Sequence, residues 1–189
     1  MYKQASLCVI RTLRRFCRTP SPVGRGIPVV GIDPGTHGAF AVIDSDGEAQ
    51  SIKMPRTVDG EEIDYAVLSA YFEDLRRCVQ HVYVEGLVKF AGRAQSGSSA
   101  IVYGFNSGAI RGILEANKFF IHIVFPTHWQ RHFTARSTSD FPSRTAWKTY
   151  LRDLARGLYN NHRITKNDCD ALLIARYGWH AINTLPNQS

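Results

Sequence analysis

The chain has 189 residues, enough for one domain of ordinary size but too few for two large ones. Its formal charge of +7 favours a nucleic-acid partner. However, six basic residues precede the first acid, and the remaining chain holds 17 basic against 16 acidic residues. The total charge is therefore weak evidence about the partner of the folded domain. No apolar run is long enough to span a bilayer, so we expect no membrane contact, and the four cysteines lack the CxxC spacing of a zinc knuckle.

Residues 1–26 have a composition of their own. They contain several arginines and no acid, interleaved with Leu, Val, Ile and Phe, which is typical of an organelle transit peptide. The alternative interpretation is a disordered basic arm that touches nucleic acid. We therefore predict a folded domain over residues 27–189, located in a mitochondrion or a plastid.

The first half of this domain is predicted to form three short strands and one helix. The apolar run over residues 28–33 is typical of a buried strand, and residues 39–44 form a second strand after a tight glycine-rich turn. A second turn leads to a third strand over residues 50–54. Apolar residues at helical spacing then predict a helix over residues 63–78.

Strands and helices alternate in the second half. The pattern predicts a strand over 81–86, a helix over 99–116, a strand over 119–125, a basic helix or loop over 128–133, and helices over 144–159 and 170–182. Three antiparallel-connected strands followed by alternating helices and strands are the order of an α/β protein with an RNase H-like fold and a mixed central sheet. In such sheets, ligands gather at the carboxyl ends of the central strands.

Three acids stand at the ends of apolar segments. Asp33 ends the first strand, Glu85 ends the fourth, and Asp170 opens the last helix. Each has an ordinary local alternative, as a turn former, an edge charge or an acid favoured by the helix dipole. Together they would repel one another when ionised, which divalent cations explain best. We therefore predict two Mg²⁺ (or Mn²⁺) ions per site, held by these three acids and suited to in-line phosphodiester hydrolysis.

Basic residues are concentrated in the part of the chain that follows Glu85. Residues 86–166 hold 12 basic and three acidic residues, whereas residues 33–85 hold four basic and 11 acidic ones. A polyanion held next to a carboxylate site would suit this asymmetry. The predicted nucleic-acid contacts are Lys89, Phe90 and Arg93 in a glycine-rich loop, and Arg131, Arg136, Arg144 and Lys148 further along. For the loop, the alternative is a solvated segment with its Phe in the core.

Four segments carry a family resemblance, namely "GIDPGTHGAFAVID", "VYVEGLVKFAGRAQSGSSAIVYGFNSGAIRGIL", "VFPTHWQRHF" and "DALLIARYG". In order and spacing they resemble the RuvC-like Holliday junction resolvases, most closely the phage and plastid-type branch, over about residues 28–178. The resemblance implies a homodimer that nicks four-way DNA junctions with Mg²⁺. It also implies that Asp33, Glu85 and Asp170 are catalytic acids.

The sequence departs from this family at two positions. The family has a fourth acid before the last one, three residues before it in the bacterial type and further back in the plastid type. In this chain Asn167 stands three residues before Asp170, and the nearest acid is Asp168. Asp168 is therefore the fourth catalytic candidate, although an offset of two residues turns a helical side chain by about 200°, so it would need a non-helical lead-in. Its alternative role is an N-cap. Gln130 stands where the family usually has a Lys, so either Arg131 supplies the phosphate contact or this contact is lost.

Two functions remain open at this point. The first is a Mg²⁺-dependent endodeoxyribonuclease that resolves branched DNA in organellar recombination and repair. The second is a catalytically weakened module that only binds structured nucleic acid, whether DNA, RNA or a ribosomal particle, which Asn167 and Gln130 favour. An ATPase of the sugar-kinase or actin type shares the first phosphate loop, but the chain is too short for the two domains that such a site needs.

Small residues follow one another along the predicted helix over 99–116. Gly108, Ala109 and Gly112 would permit close approach of another element. The resemblance implies that this element is a second copy of the chain, and the equal alternative is packing onto the sheet.

Overall fold

The computed structural model describes residues 26–86 and 97–184. The predicted transit peptide, apart from its last residue, lies outside the described residues. So do three predicted nucleic-acid contacts, Lys89, Phe90 and Arg93.

Within the two described ranges the chain forms five strands, five α-helices and one short 3₁₀ turn over Thr138–Asp140. The strands are β1 (Val29–Asp33), β2 (Ala39–Ile43), β3 (Ala49–Lys53), β4 (His81–Glu85) and β5 (Phe120–Val124). The helices are α1 (Tyr65–Leu75), α2 (Gly97–Ala116), α3 (Pro126–Phe133), α4 (Arg144–Tyr159) and α5 (Cys169–Asn183). The segment predicted as a helix or a loop is thus helix α3, whose Pro126 is tolerated in the first turn. No helix in these ranges is long and apolar enough to cross a membrane.

The five strands form one mixed sheet in the order β3-β2-β1-β4-β5. β1 pairs antiparallel with β2, and β2 with β3, whereas β1 pairs parallel with β4, and β4 with β5. Ile32 of β1 lies opposite Val84 of β4, so the next residues, Asp33 and Glu85, stand side by side at the carboxyl edge of the sheet. The mixed sheet and the α/β fold class predicted from the sequence are confirmed.

Helices cover both faces of the sheet. Alternate residues of β1 point to opposite faces: Val30 and Ile32 pack with α1 and α2, while Val29 packs with α3, α4 and α5. Gly31 shares the second face, where an added Cβ would lie only 2.2 Å from the backbone nitrogen of Ala175 in α5. Glycine therefore lets α5 lie directly against β1. Asp33, two residues further on, faces the same side and so the start of α5.

Candidate active site

Three elements bring the predicted catalytic acids together. Asp33 and Glu85 end the adjacent strands β1 and β4, and Asp170 lies in the first turn of α5, where it is buried. The Gly35 amide donates to Asp33 Oδ1 at 3.1 Å, and the indole Nε1–H of Trp129 donates to Glu85 Oε1 at 3.1 Å. The buried Cys169 thiol donates to Asp170 Oδ1 at 3.2 Å. Each carboxylate is therefore held by a donor from its own turn or from α3.

Burial and repulsion from neighbouring carboxylates make Asp33 and Glu85 hard to ionise. Burial, followed by the charge of Asp170, raises the pKa of Asp33. Burial, followed by the charges of Asp33 and Asp170, raises the pKa of Glu85 to about 8. Because Asp170 acts on both Asp33 and Glu85, and Asp33 acts on Glu85, the three carboxyl groups lie within electrostatic reach of one another. Such a cluster needs a positive charge to be fully ionised near neutral pH.

Lys148 supplies one such charge. Its ammonium, on α4, forms a salt bridge and a hydrogen bond with Asp170 Oδ2. Burial opposes the charged amine, but the Asp170 and Asp33 carboxylates outweigh this effect and raise the pKa of Lys148. In residues 26–86 and 97–184, no three Asp, Glu, His or Cys side chains converge closely enough to hold one metal ion. Lys148 thus pairs directly with Asp170 and acts on Asp33 and Glu85 through its charge.

A cleft of about 780 Å³ opens beside this cluster. Its walls come from the Asp33–Gly38 turn, the first half of α2, the start of α4 and the segment before α5. Three basic residues line it, namely Arg144, Lys148 and Lys166. A phosphodiester backbone in the cleft would therefore meet cations next to the carboxylates.

The two candidates for the fourth acidic position differ in their surroundings. Asp168 is buried, and its Oδ2 accepts from the Thr165 amide at 3.0 Å and from the Thr165 hydroxyl at 2.5 Å. It occupies the N-cap position of α5, but its carboxylate accepts no hydrogen bond from the backbone N–H groups of that helix. Asn167, in contrast, lines the cleft. The structure therefore brings Asn167, and not Asp168, to the wall of the cleft.

The basic residues predicted to bind nucleic acid fall into two places. Arg144 and Lys148 lie one helical turn apart on α4 and both line the cleft. Arg131 is exposed in the last turn of α3, and the guanidinium of Arg136 stacks over the Tyr150 ring at 5.6 Å. Neither Arg131 nor Arg136 is among the described residues that line the cleft.

The sequence pattern did not single out three residues of the site. Lys166 lines the cleft. Its position directly before Asn167 and Asp168 is the sequence feature that could have identified it. Tyr103 and Asn106 of α2 also line it, and the Tyr103 hydroxyl donates to the backbone oxygen of Glu85 at 3.3 Å. Neither has a sequence signal, because polar and apolar residues are mixed on both sides of α2.

Comparison with known proteins gives a fold assignment. No protein-family model matches the sequence, and no curated protein is similar to it in sequence. RuvC of Thermus thermophilus in complex with a Holliday junction substrate matches with a TM-score of 0.58 at 16% identity, over 82% of this chain and 94% of the RuvC chain. Thermus thermophilus RuvC in a second structure matches with a TM-score of 0.53 at 14% identity, over 82% and 95% of the two chains. The chain has the fold of RuvC. The yeast mitochondrial Holliday junction resolvase Ydc2 covers 89% of this chain and 83% of its own at 18% identity, with a TM-score of only 0.41.

Proposed function

We propose that this domain is a metal-dependent endonuclease that cuts branched DNA, in particular four-way junctions. The observation that carries the proposal is the meeting of Asp33, Glu85 and Asp170 at the carboxyl edge of the central strands, beside a basic cleft. Carboxylates suit divalent cations, and the neighbouring Arg and Lys residues suit phosphates. The fold supports the proposal further, because the RuvC structure that matches it was determined with a Holliday junction.

Asp33, Glu85 and Asp170 are the proposed ligands of two Mg²⁺ or Mn²⁺ ions. In the metal-free arrangement no three such side chains of the described residues converge on one ion, so these carboxylates would have to shift when the ions bind. Their oxygen atoms suit these ions, and added positive charge would offset the burial and repulsion that raise the pKa values of Asp33 and Glu85. Bound ions supply activation of water and neutralisation of the charge on the scissile phosphate. With only three acids, phosphate and water oxygens must complete the coordination of both ions.

The chain's own residues position the reactants. Trp129 and the Gly35 amide fix one oxygen each of Glu85 and Asp33. Lys148 balances Asp170 in the metal-free protein. We propose that Lys148 leaves Asp170 when cations bind, and that it then holds a DNA phosphate together with Arg144 on the same wall of the cleft.

Symmetric cutting of a four-way junction requires two sites, and we propose that α2 forms the interface of a homodimer. Ile101 and Phe105 on this helix are 73% and 66% exposed. An added Cβ at Gly104, Gly108 or Gly112 would meet no described atom within 4 Å. These glycines therefore do not pack on the described part of the sheet, and a second α2 could approach them closely.

An organellar location is the proposal that the composition of residues 1–26 supports. Protein isolated from the native organelle should lack this segment. Intact-mass measurement would test this directly, and a mass that includes Met1 would contradict it.

The second candidate function is a module that binds structured nucleic acid without cutting it. Asn167 favours it, because an amide lines the cleft where the resemblance would place an acid. A site that lacks one acid holds its second ion weakly unless substrate is present.

One assay separates the two candidates. The protein is incubated with a labelled four-way junction, a duplex of the same sequence and an RNA hairpin, each with and without Mg²⁺ or Mn²⁺. We expect paired nicks in the junction that depend on the metal. Tight junction binding with no cutting across millimolar Mg²⁺ and Mn²⁺ would support the binding module instead.

A further inference from the structure

Asn106 is a buried polar side chain whose two amide ends are both engaged. It lies in the middle of α2, is 5% exposed, and is one of three buried polar or charged side chains in the described residues. The Tyr65 hydroxyl donates to its Oδ1 at 2.7 Å, and its Nδ2 donates to the Thr36 hydroxyl oxygen at 3.0 Å. One amide therefore links α1, α2 and the turn that follows Asp33.

Thr36 belongs to a turn whose backbone is fixed. The Gly35 amide donates to Asp33 Oδ1, and the Gly38 amide donates to the Gly35 oxygen at 2.8 Å. Gly38 lies so close to Asp33 that an added Cβ would be 2.2 Å from the Asp33 backbone oxygen. Thr36, held in this turn and by Asn106, lines the same cleft as Lys148.

The hydrogen bonds from Tyr65 to Asn106 and from Asn106 to Thr36 both run in the same direction, from donor to acceptor. Thr36 Oγ1 accepts a hydrogen bond from Asn106 Nδ2, which leaves its own O–H available as a donor to another group. Among the described residues, the bond from Asn106 is the one hydrogen bond that the Thr36 side chain makes. Since Thr36 lines the cleft, a ligand there can provide the acceptor.

We infer that the Thr36 hydroxyl is a donor to a backbone phosphate of the nucleic acid in the cleft, and that Asn106 is the residue that orients it. This inference rests on the proposed function only in that nucleic acid must bind in the cleft. A hydrogen bond to a charged phosphate is stronger than one between neutral groups. Its loss should weaken binding by about tenfold to a hundredfold.

The test measures the affinity of the full chain for a labelled four-way junction in Ca²⁺, by fluorescence anisotropy, so that cutting is not needed for a result. Thr36→Val keeps the shape of the side chain and removes the donor, and should weaken binding about tenfold. Thr36→Ser keeps the donor and should bind within about threefold of the wild type. Thr36→Ala repeats the test if Thr36→Val folds poorly.

A double-mutant cycle tests the role of Asn106. Asn106→Leu should weaken binding by about fivefold to tenfold. The double variant should bind no more weakly than Thr36→Val alone, because Asn106 acts through Thr36. A purely structural role would instead make the two effects additive. The matched control is Asn117→Leu, since Asn117 is half-buried, donates to the Ile113 oxygen and does not line the cleft.

The outcomes separate this inference from the proposed function. Failure of the wild type to bind the junction would overturn both. Binding by Thr36→Val equal to that of the wild type would overturn the inference alone, as would Thr36→Ser binding as weakly as Thr36→Val. Additive losses in the double mutant would overturn the role of Asn106.

Discussion

The two helical layers that cover the sheet differ in the polar groups that they bury. The α1–α2 layer packs large apolar side chains, such as Phe40 against Phe72 with ring centroids 5.4 Å apart. Among the described residues, the polar groups that it buries on α2 are uncharged, namely the Asn106 amide and the Ser107 hydroxyl. The α3–α5 layer buries acids, including Asp170 with its Lys148 partner. The first layer mainly stabilises the fold. The second layer is less stable than it would be with apolar residues, because it buries carboxylates beside the cleft.

Phe72→Ala tests the first half of this comparison and should have the largest effect on stability. Phe72 is fully buried against Phe40 and Phe119, so the variant should lose about 3–5 kcal/mol in urea unfolding. The folded fraction should still cut junctions at the wild-type rate. Slower cutting by the folded fraction, or an unchanged free energy of unfolding, would contradict the division between the layers.

Lys148→Met tests whether the second layer depends on its internal cation. Without the ammonium, Asp170 is left buried and unpaired, and the metal-free protein should lose about 2 kcal/mol, because Lys148 is partly solvated. Added Mg²⁺ should restore part of the lost melting temperature. The control Arg111→Met removes an exposed i,i+4 pair with Glu115 and should cost less than about 0.5 kcal/mol. Equal losses in the two variants would refute the special role of Lys148.

Glu85→Gln tests the second layer through the pH dependence of protein stability. Folded Glu85 keeps its proton to about pH 8, while the unfolded chain releases it near the ordinary pKa of 4.5. The folded state thus binds more protons, and the stability of the metal-free protein should fall as the pH rises from about 4.5 to about 8.

In melting experiments at pH 5 and pH 8, Glu85→Gln should reduce this fall and raise the melting temperature at pH 8. Asp33 contributes the remaining slope, because its pKa is also raised. The control is Glu73→Gln, at an exposed position of α1, which should keep the wild-type slope. An unchanged slope in Glu85→Gln would show that this carboxyl group is not the cause.

Asp168→Asn should have the smallest effect. The Asp168 carboxylate accepts two hydrogen bonds from Thr165, and an amide oxygen can replace that acceptor, so junction cutting should change by less than about threefold. Single-turnover cutting measures this. A drop of tenfold or more in a stably folded variant would mean that Asp168 reaches the reacting groups, as the sequence predicts.

The sequence predicted the sheet and the convergence of strand ends because these depend on local patterns. Apolar runs and turns marked the strands, and parallel pairing of β1 with β4 places Asp33 beside Glu85 whenever the fold is the predicted one. The close contact of α5 with β1 at Gly31 could not be read from the sequence. It is nonetheless what brings Asp170 to the same edge.

The rest of the site depends on contacts between distant residues. Lys148 was predicted to bind nucleic acid, but its pairing with Asp170, 22 positions away, has no local signal. The buried side of α2 could not be predicted from the sequence either, because Ile101 and Phe105 on its exposed side are as apolar as its buried residues. Asn106 could therefore not be recognised as a buried group from its position in the sequence.

The most direct test of the central claim compares Asp33→Asn with Asp153→Asn in single-turnover cutting of a four-way junction at saturating Mg²⁺. Asp153 is an exposed acid of α4 paired with Arg152, and it serves as the matched control. Asp33→Asn should cut about a thousandfold more slowly than the wild type while binding the junction within about threefold, and Asp153→Asn should cut at the wild-type rate. Undiminished cutting by Asp33→Asn would contradict the assignment of the acid cluster as the active site.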